Sequence, residues 1–184
     1  MRQVNFMSKL STMIATAGLA ALFVLGANAQ DSAAPKTPPT PGQVYLSVWN
    51  DIGRKLIAMA EEFPEDKYDF KPTPEVRSFA EQLLHAAASN VYVAKAASGE
   101  KAQFPDLKRE DYKTKASIVA LLKKSVADGA APLKANGEEQ ARKRPSLWVG
   151  FLEHAGEHYG QLVVYYRVNG LVPPESRPKP GNSQ

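Results

Sequence analysis

Tyr45, Val48, Trp49, Ile52, Leu56, Met59, Ala60 and Phe63 return every three or four residues, which makes one side of a helix apolar. Pro64 closes that stretch. No segment alternates apolar and polar residues with period two, and there is no internal repeat, so the chain must bury helices against helices. Thr73-Pro74-Glu75 reads as an N-cap followed by proline at the first helical position, opening a second helix that ends near Ser98-Gly99. A third runs from about Thr114 through Ile118, Leu121, Leu122 and Val126 towards Asn136-Gly137, with Gly129 and Pro132 expected to kink or split it. Pro145-Ser146 opens a fourth, and Asn169-Gly170 with Pro173-Pro174 stops it. The expectation is an all-α four-helix bundle over residues 43–177.

The ends carry different signals. Arg2 and Lys9 precede an uncharged apolar run, Leu10 to Gly26, and Ala27-Asn28-Ala29 has the small-residue form of a cleavage site. Residues 1–29 therefore read as a cleavable signal peptide, and an uncleaved anchor is the rival reading. The protein is expected to be exported, periplasmic or secreted, with no stable membrane insertion after cleavage. Residues 30–42, rich in Pro and Ala, read as a tether, and 178–184 as a frayed tail. There is no cysteine, so neither a lipid-anchored form nor a disulfide is available. The net charge of +4 falls to about +2 once Arg2 and Lys9 leave, and the remaining basic residues are scattered. Only Arg142-Lys143-Arg144 clusters, which suits a solvated loop better than a phosphate patch, so no nucleic-acid partner is expected.

His85, His154 and His158 are the only histidines. His154 and His158 lie one turn apart on the fourth helix. At about 100° per residue they fall with Leu147, Phe151, Leu162 and Tyr165 in a sector of about 80°, the face that should point inward. A buried imidazole needs a partner for each ring nitrogen. Two answers fit: a shared divalent metal, or a groove pair satisfied by Glu153 and Glu157. The periodicity of the second helix centres on Phe79, Ala80, Leu83, Leu84 and Ala87, and puts His85 off that stripe at a surface or interface.

The stretches Val76 to His85 and His154-Ala155-Gly156-Glu157-His158-Tyr159-Gly160-Gln161-Leu162 resemble the two signature regions of the DinB superfamily. The run Tyr165 to Ser176, and the Trp49 helix leading through Tyr68-Asp69-Phe70-Lys71-Pro72, continue the likeness, which covers residues 43–177. The resemblance implies a four-helix bundle with a long connection between its second and third helices. It further implies a divalent metal held by His85, His154 and His158. Zinc is the first expectation, and imidazole also suits nickel or iron. Members of that family include zinc-dependent thiol transferases and thiol-dependent isomerases. This chain departs from the transferases in its export signal, because an oxidising exterior supplies few free thiols.

Three imidazoles leave a coordination position open for water or substrate. Transferase or hydrolase chemistry on a small molecule of unknown identity is the first reading, with Glu157 and Gln161 flanking the histidine pair. Glu157 reads more simply as a solvent-facing residue, as do Glu153 and Arg167. The second reading is a non-catalytic metal-binding or scaffold bundle. Trp148, Tyr159, Tyr165 and Tyr166 read as core before they read as pocket walls. Arg77-Ser78 would meet an anion at a helix N-terminus or simply form a cap. The absence of a glycine-rich phosphate loop, of G-x-S-x-G and of cysteine excludes P-loop, serine-elbow and thiol-protease chemistry. The Ala-rich second helix leaves room for a homodimer.

Overall fold

Thr40 starts the first helix. Its hydroxyl accepts from the Gln43 amide while the Gln43 side chain accepts from the Thr40 amide, a reciprocal capping box. Helix α1 therefore spans Pro41–Glu62, and the last two residues of the expected tether are helical. The computed structural model describes residues 37–178. The expected signal peptide, residues 30–36 of the tether and residues 179–184 of the tail lie outside them. Helices α2 (Phe79–Ala97), α3 (Lys115–Lys143) and α4 (Pro145–Val168) follow, with 3-10 turns at Glu65–Lys67 and Pro174–Ser176. Among the described residues there is no strand, and no helix is long and apolar enough to cross a membrane.

The second helix begins later than Thr73-Pro74 suggested. Ser78 and Glu81 form the capping box, the Ser78 hydroxyl meeting the Glu81 amide at 3.2 Å. The segment before it folds back instead of coiling, because the amides of Phe79 and Ala80 donate to the carbonyls of Phe70 and Tyr68. Those bonds give residues 70–78 a satisfied non-helical path. The connection from α2 to α3 is long, as the resemblance implied, spanning residues 98–114.

Helix α3 passes through Gly129 and Pro132 without a break, and its one non-helical residue is Asn136 (φ −147°, ψ 53°). Gly129 serves a different purpose. A Cβ there would lie 2.1 Å from Cζ2 of Trp49, so the missing side chain is the seat of the indole. The Trp49 Nε1–H donates to the Val126 carbonyl at 2.9 Å, one turn earlier on the same helix. Trp49 also meets Trp148 edge to face at 5.7 Å, which ties α1, α3 and α4 together at one end of the bundle.

At the other end Phe63, Tyr68, Phe79, Tyr165 and Tyr166 form an aromatic core. Phe63 and Phe79 stack with centroids 3.8 Å apart. Trp148, Tyr165 and Tyr166 are thus core residues, as their helical spacing suggested. Burial of one such ring contributes about 2–3 kcal/mol, the same order as a disulfide. A chain without cysteine can therefore hold this fold by packing alone. Val48, expected within the α1 stripe, lies at its edge and is exposed.

Candidate metal centre

The middle of α2 faces the middle of α4, and the three histidines meet there. Ring centroids of His154 and His158 are 4.2 Å apart, those of His85 and His158 4.9 Å, and those of His85 and His154 5.4 Å. One nitrogen from each ring lies within 4.8 Å of the other two. His158 is buried and the others half-buried. The surface position that periodicity gave His85 is corrected by this arrangement. Its helix is buried on several sides, with Gln82, Ala86 and Ser89 buried beside the main apolar stripe, so an off-stripe residue still faces α4.

Neutral amides and a hydroxyl, not the neighbouring carboxylates, surround the rings. Nδ1 of His158 lies 3.1 Å from Gln161 Oε1 and also contacts the side-chain amide of Gln82, which in turn bonds Gln161. With its proton on Nδ1, His158 donates to Gln161 and leaves the Nε2 lone pair free. Glu157 is largely exposed and lies 3.8 Å from Nδ1 of His154. The Ser89 hydroxyl donates to the His85 carbonyl at 3.0 Å and lies 3.0 Å from His154 Nε2. Glu153 and Arg167 are exposed, as their side of the helix suggested.

The Nε2 atoms of His154 and His158 face each other at 3.0 Å. Two lone pairs at that separation need a proton or a cation between them. Metal–nitrogen bonds of about 2.0–2.1 Å in a tetrahedral sphere set nitrogens about 3.3–3.4 Å apart, so the rings need only a small adjustment to share an ion. The other nitrogen of His158 is already directed outward to a hydrogen-bonding partner, Gln161, as in metal-bound imidazoles, and that of His154 points towards Glu157 at 3.8 Å. The residues fit a three-nitrogen metal site.

Burial, and then the charge of His154, push His158 down from 6.5 to about 4. Burial, followed by the charges of Arg77 and His154, also lowers His85. Both are neutral at pH 7. The sign of the linkage follows for the metal-free protein. Above 6.5 neither folded nor unfolded His158 is protonated, and stability is complete. Between 6.5 and about 4 the unfolded chain takes up a proton that the folded chain refuses, so stability falls on acidification. Melts of chelated protein from pH 7 to about pH 5, above the carboxylate range, should show this slope. His158→Gln should flatten it, and an unchanged slope would contradict a buried neutral ring.

Two cavities border the site. One of about 430 Å³ reaches His85 from the side of Val76, Arg77 and Leu107. The other, about 620 Å³, ends on Gln82, Gln161 and Tyr165. Phe151 approaches His154 edge-on at 6.0 Å, and stacks with Tyr92 and the exposed Phe104. Sequence reasoning missed this aromatic wall, as well as Gln82 and Ser89. The signal for the latter two was polar residues one turn either side of His85 in an apolar run.

The family model described as the DinB superfamily matches residues 50–162, which include all three histidines. No curated protein matches the chain.

Proposed function

Since this chain belongs to the DinB superfamily, we propose that His85, His154 and His158 bind a divalent metal and serve transferase or hydrolase chemistry on a small molecule. The observation that carries the proposal is three imidazole nitrogens within 4.8 Å, with the ring of His158 held from behind by Gln161. Zinc is the first choice of metal, with nickel and iron as alternatives. A bound ion of this kind supplies Lewis acidity and lowers the pKa of a ligand at its open position. The protein's own residues do the rest. Gln161 accepts from Nδ1 of His158 and is itself held by the Gln82 amide, Glu157 stands beside His154 where it can take up a proton, and the aromatic wall keeps water from that side.

Open cavities beside His85 favour a ligand site over a closed structural one. Export to the periplasm or exterior belongs to the same reading, supported by Arg2, Lys9, the apolar run and Ala27-Asn28-Ala29. In that setting hydrolysis, or transfer to an acceptor other than a free thiol, fits better than thiol transfer.

Elemental analysis of the purified protein is expected to find about one divalent ion per chain. Its removal by chelator should lower Tm and abolish turnover of ester and thiol-acceptor panels. Destabilisation without turnover in either form would favour the scaffold reading. Metal-free protein that cannot be loaded would end the proposal.

A further inference from the structure

We propose that Arg77 anchors the carboxylate of a small organic acid whose apolar chain lies along Val76 and Leu107 and whose far end reaches His85. This inference rests on the ligand-site reading above and names the class of molecule that the site takes.

Arg77 borders both cavities, and in the smaller one it shares the lining with His85. Arg54, Arg109 and Arg177 each meet a carboxylate: Arg54 meets Asp51 and Glu175, Arg109 meets Asp69, and Arg177 meets Glu62. Arg77 meets none among the described residues, and its side chain is exposed to the cavity mouth. The acids around it are engaged elsewhere. Glu81 is held by the Ser78 amide and by Lys71 at 3.3 Å, Asp106 pairs with Lys108 at 3.6 Å, and Glu75 is hydrogen-bonded by Thr73 and its own backbone.

The backbone at Arg77 is fixed on both sides. Its carbonyl accepts from the Tyr165 hydroxyl, and the next residue is the α2 N-cap. The guanidinium is a positive charge carried on a fixed backbone beside the site, near enough that its field helps keep His85 and His158 neutral.

The lining selects the ligand. Lys71 is committed to Glu81, so among the described residues lining this cavity Arg77 is the one cation without a carboxylate partner, which suits a monoanion better than a phosphate dianion. In a lining that is otherwise mostly polar, Val76 and Leu107 supply the accessible apolar surface, with Leu84 and Ala88 buried behind them.

The test uses hexanoate and its neutral counterpart hexanamide, titrated into metal-free protein and followed by NMR at the Arg77 Nε–H and the His85 ring. Hexanoate should shift both signals saturably. Hexanamide, or hexanoate with Arg77→Gln protein, should bind at least tenfold more weakly, and Arg77→Lys should fall between them because it keeps the charge but not the fork. Arg167→Gln, which removes an exposed arginine that does not line the cavity, should bind hexanoate as the parent does. Equal binding of acid and amide, or no saturable shift up to about 100 mM, equivalent to no useful affinity, would overturn the inference. The readout needs no metal, so its failure is separate from a failure of metal loading.

Discussion

A His158→Ala variant is expected to bind metal so weakly that it purifies empty, while Gln82→Leu keeps a site of intermediate affinity. His158 is the most buried of the three rings and the one whose neutral form is best protected, so it contributes a lone pair at every pH near neutrality. Removing it leaves two half-buried imidazoles, too few nitrogens for a three-histidine site. Gln82 acts through the ring. Its leucine variant keeps the buried volume and still leaves Gln161 Oε1 3.1 Å from Nδ1, so His158 stays partnered but less firmly aimed. Loss of such a supporting partner costs about 10–100-fold in metal affinity, and loss of the ligand should cost more. Competition titration against a chromophoric chelator measures both. Wild-type affinity in Gln82→Leu would mean that the amide does not orient the ring, and wild-type affinity in His158→Ala would remove the site.

The second large effect is structural and falls at Gly129→Ala. Two terms oppose each other. Alanine inside a helix gains about 1 kcal/mol over glycine. The new methyl, however, would sit 2.1 Å from the Trp49 ring, far inside contact distance. Trp49 cannot simply turn away, because its Nε1–H is bound to Val126 and its face is against Trp148. Overpacking of this kind costs about 1–3 kcal/mol or more, and a rigid indole belongs at the upper end. A net loss of about 2 kcal/mol follows, measurable as a lower urea midpoint with little change in m. A more stable variant would show that the indole has room to move.

Much of this was legible in the residues, and what was not has identifiable causes. The i, i+4 pair His154 and His158 fell on the inward face of α4 because the buried residues of that helix, Trp148, Ala155, His158, Leu162 and Tyr165, follow one another along a single stripe. His85 escaped the same logic. Helix α2 is short-sided and alanine-rich, buried on several faces, so no single stripe predicts which residues meet α4; only the family resemblance pointed to it. The start of α2 was misread because Thr73-Pro74 and Ser78-x-x-Glu81 are both valid start signals. The choice between them was made by Phe70 and Tyr68, whose carbonyls capture the amides of Phe79 and Ala80. Glycine and proline in α3 suggested a break. Gly129 is there to admit a tryptophan from another helix, which no local rule can see.

Tyr165 and Tyr166, neighbours on α4, point their hydroxyls at different partners: the carbonyl of Arg77 before α2, and that of Met59 near the end of α1 at 2.8 Å. Being adjacent, they diverge by about 100° around the axis, so together they act like two keys in separate locks. Sliding or rolling α4 by one residue would free both at once. The helix is thereby indexed two turns from His158 by two phenol hydroxyls, so the placing of the imidazoles on α4 needs no help from any ion.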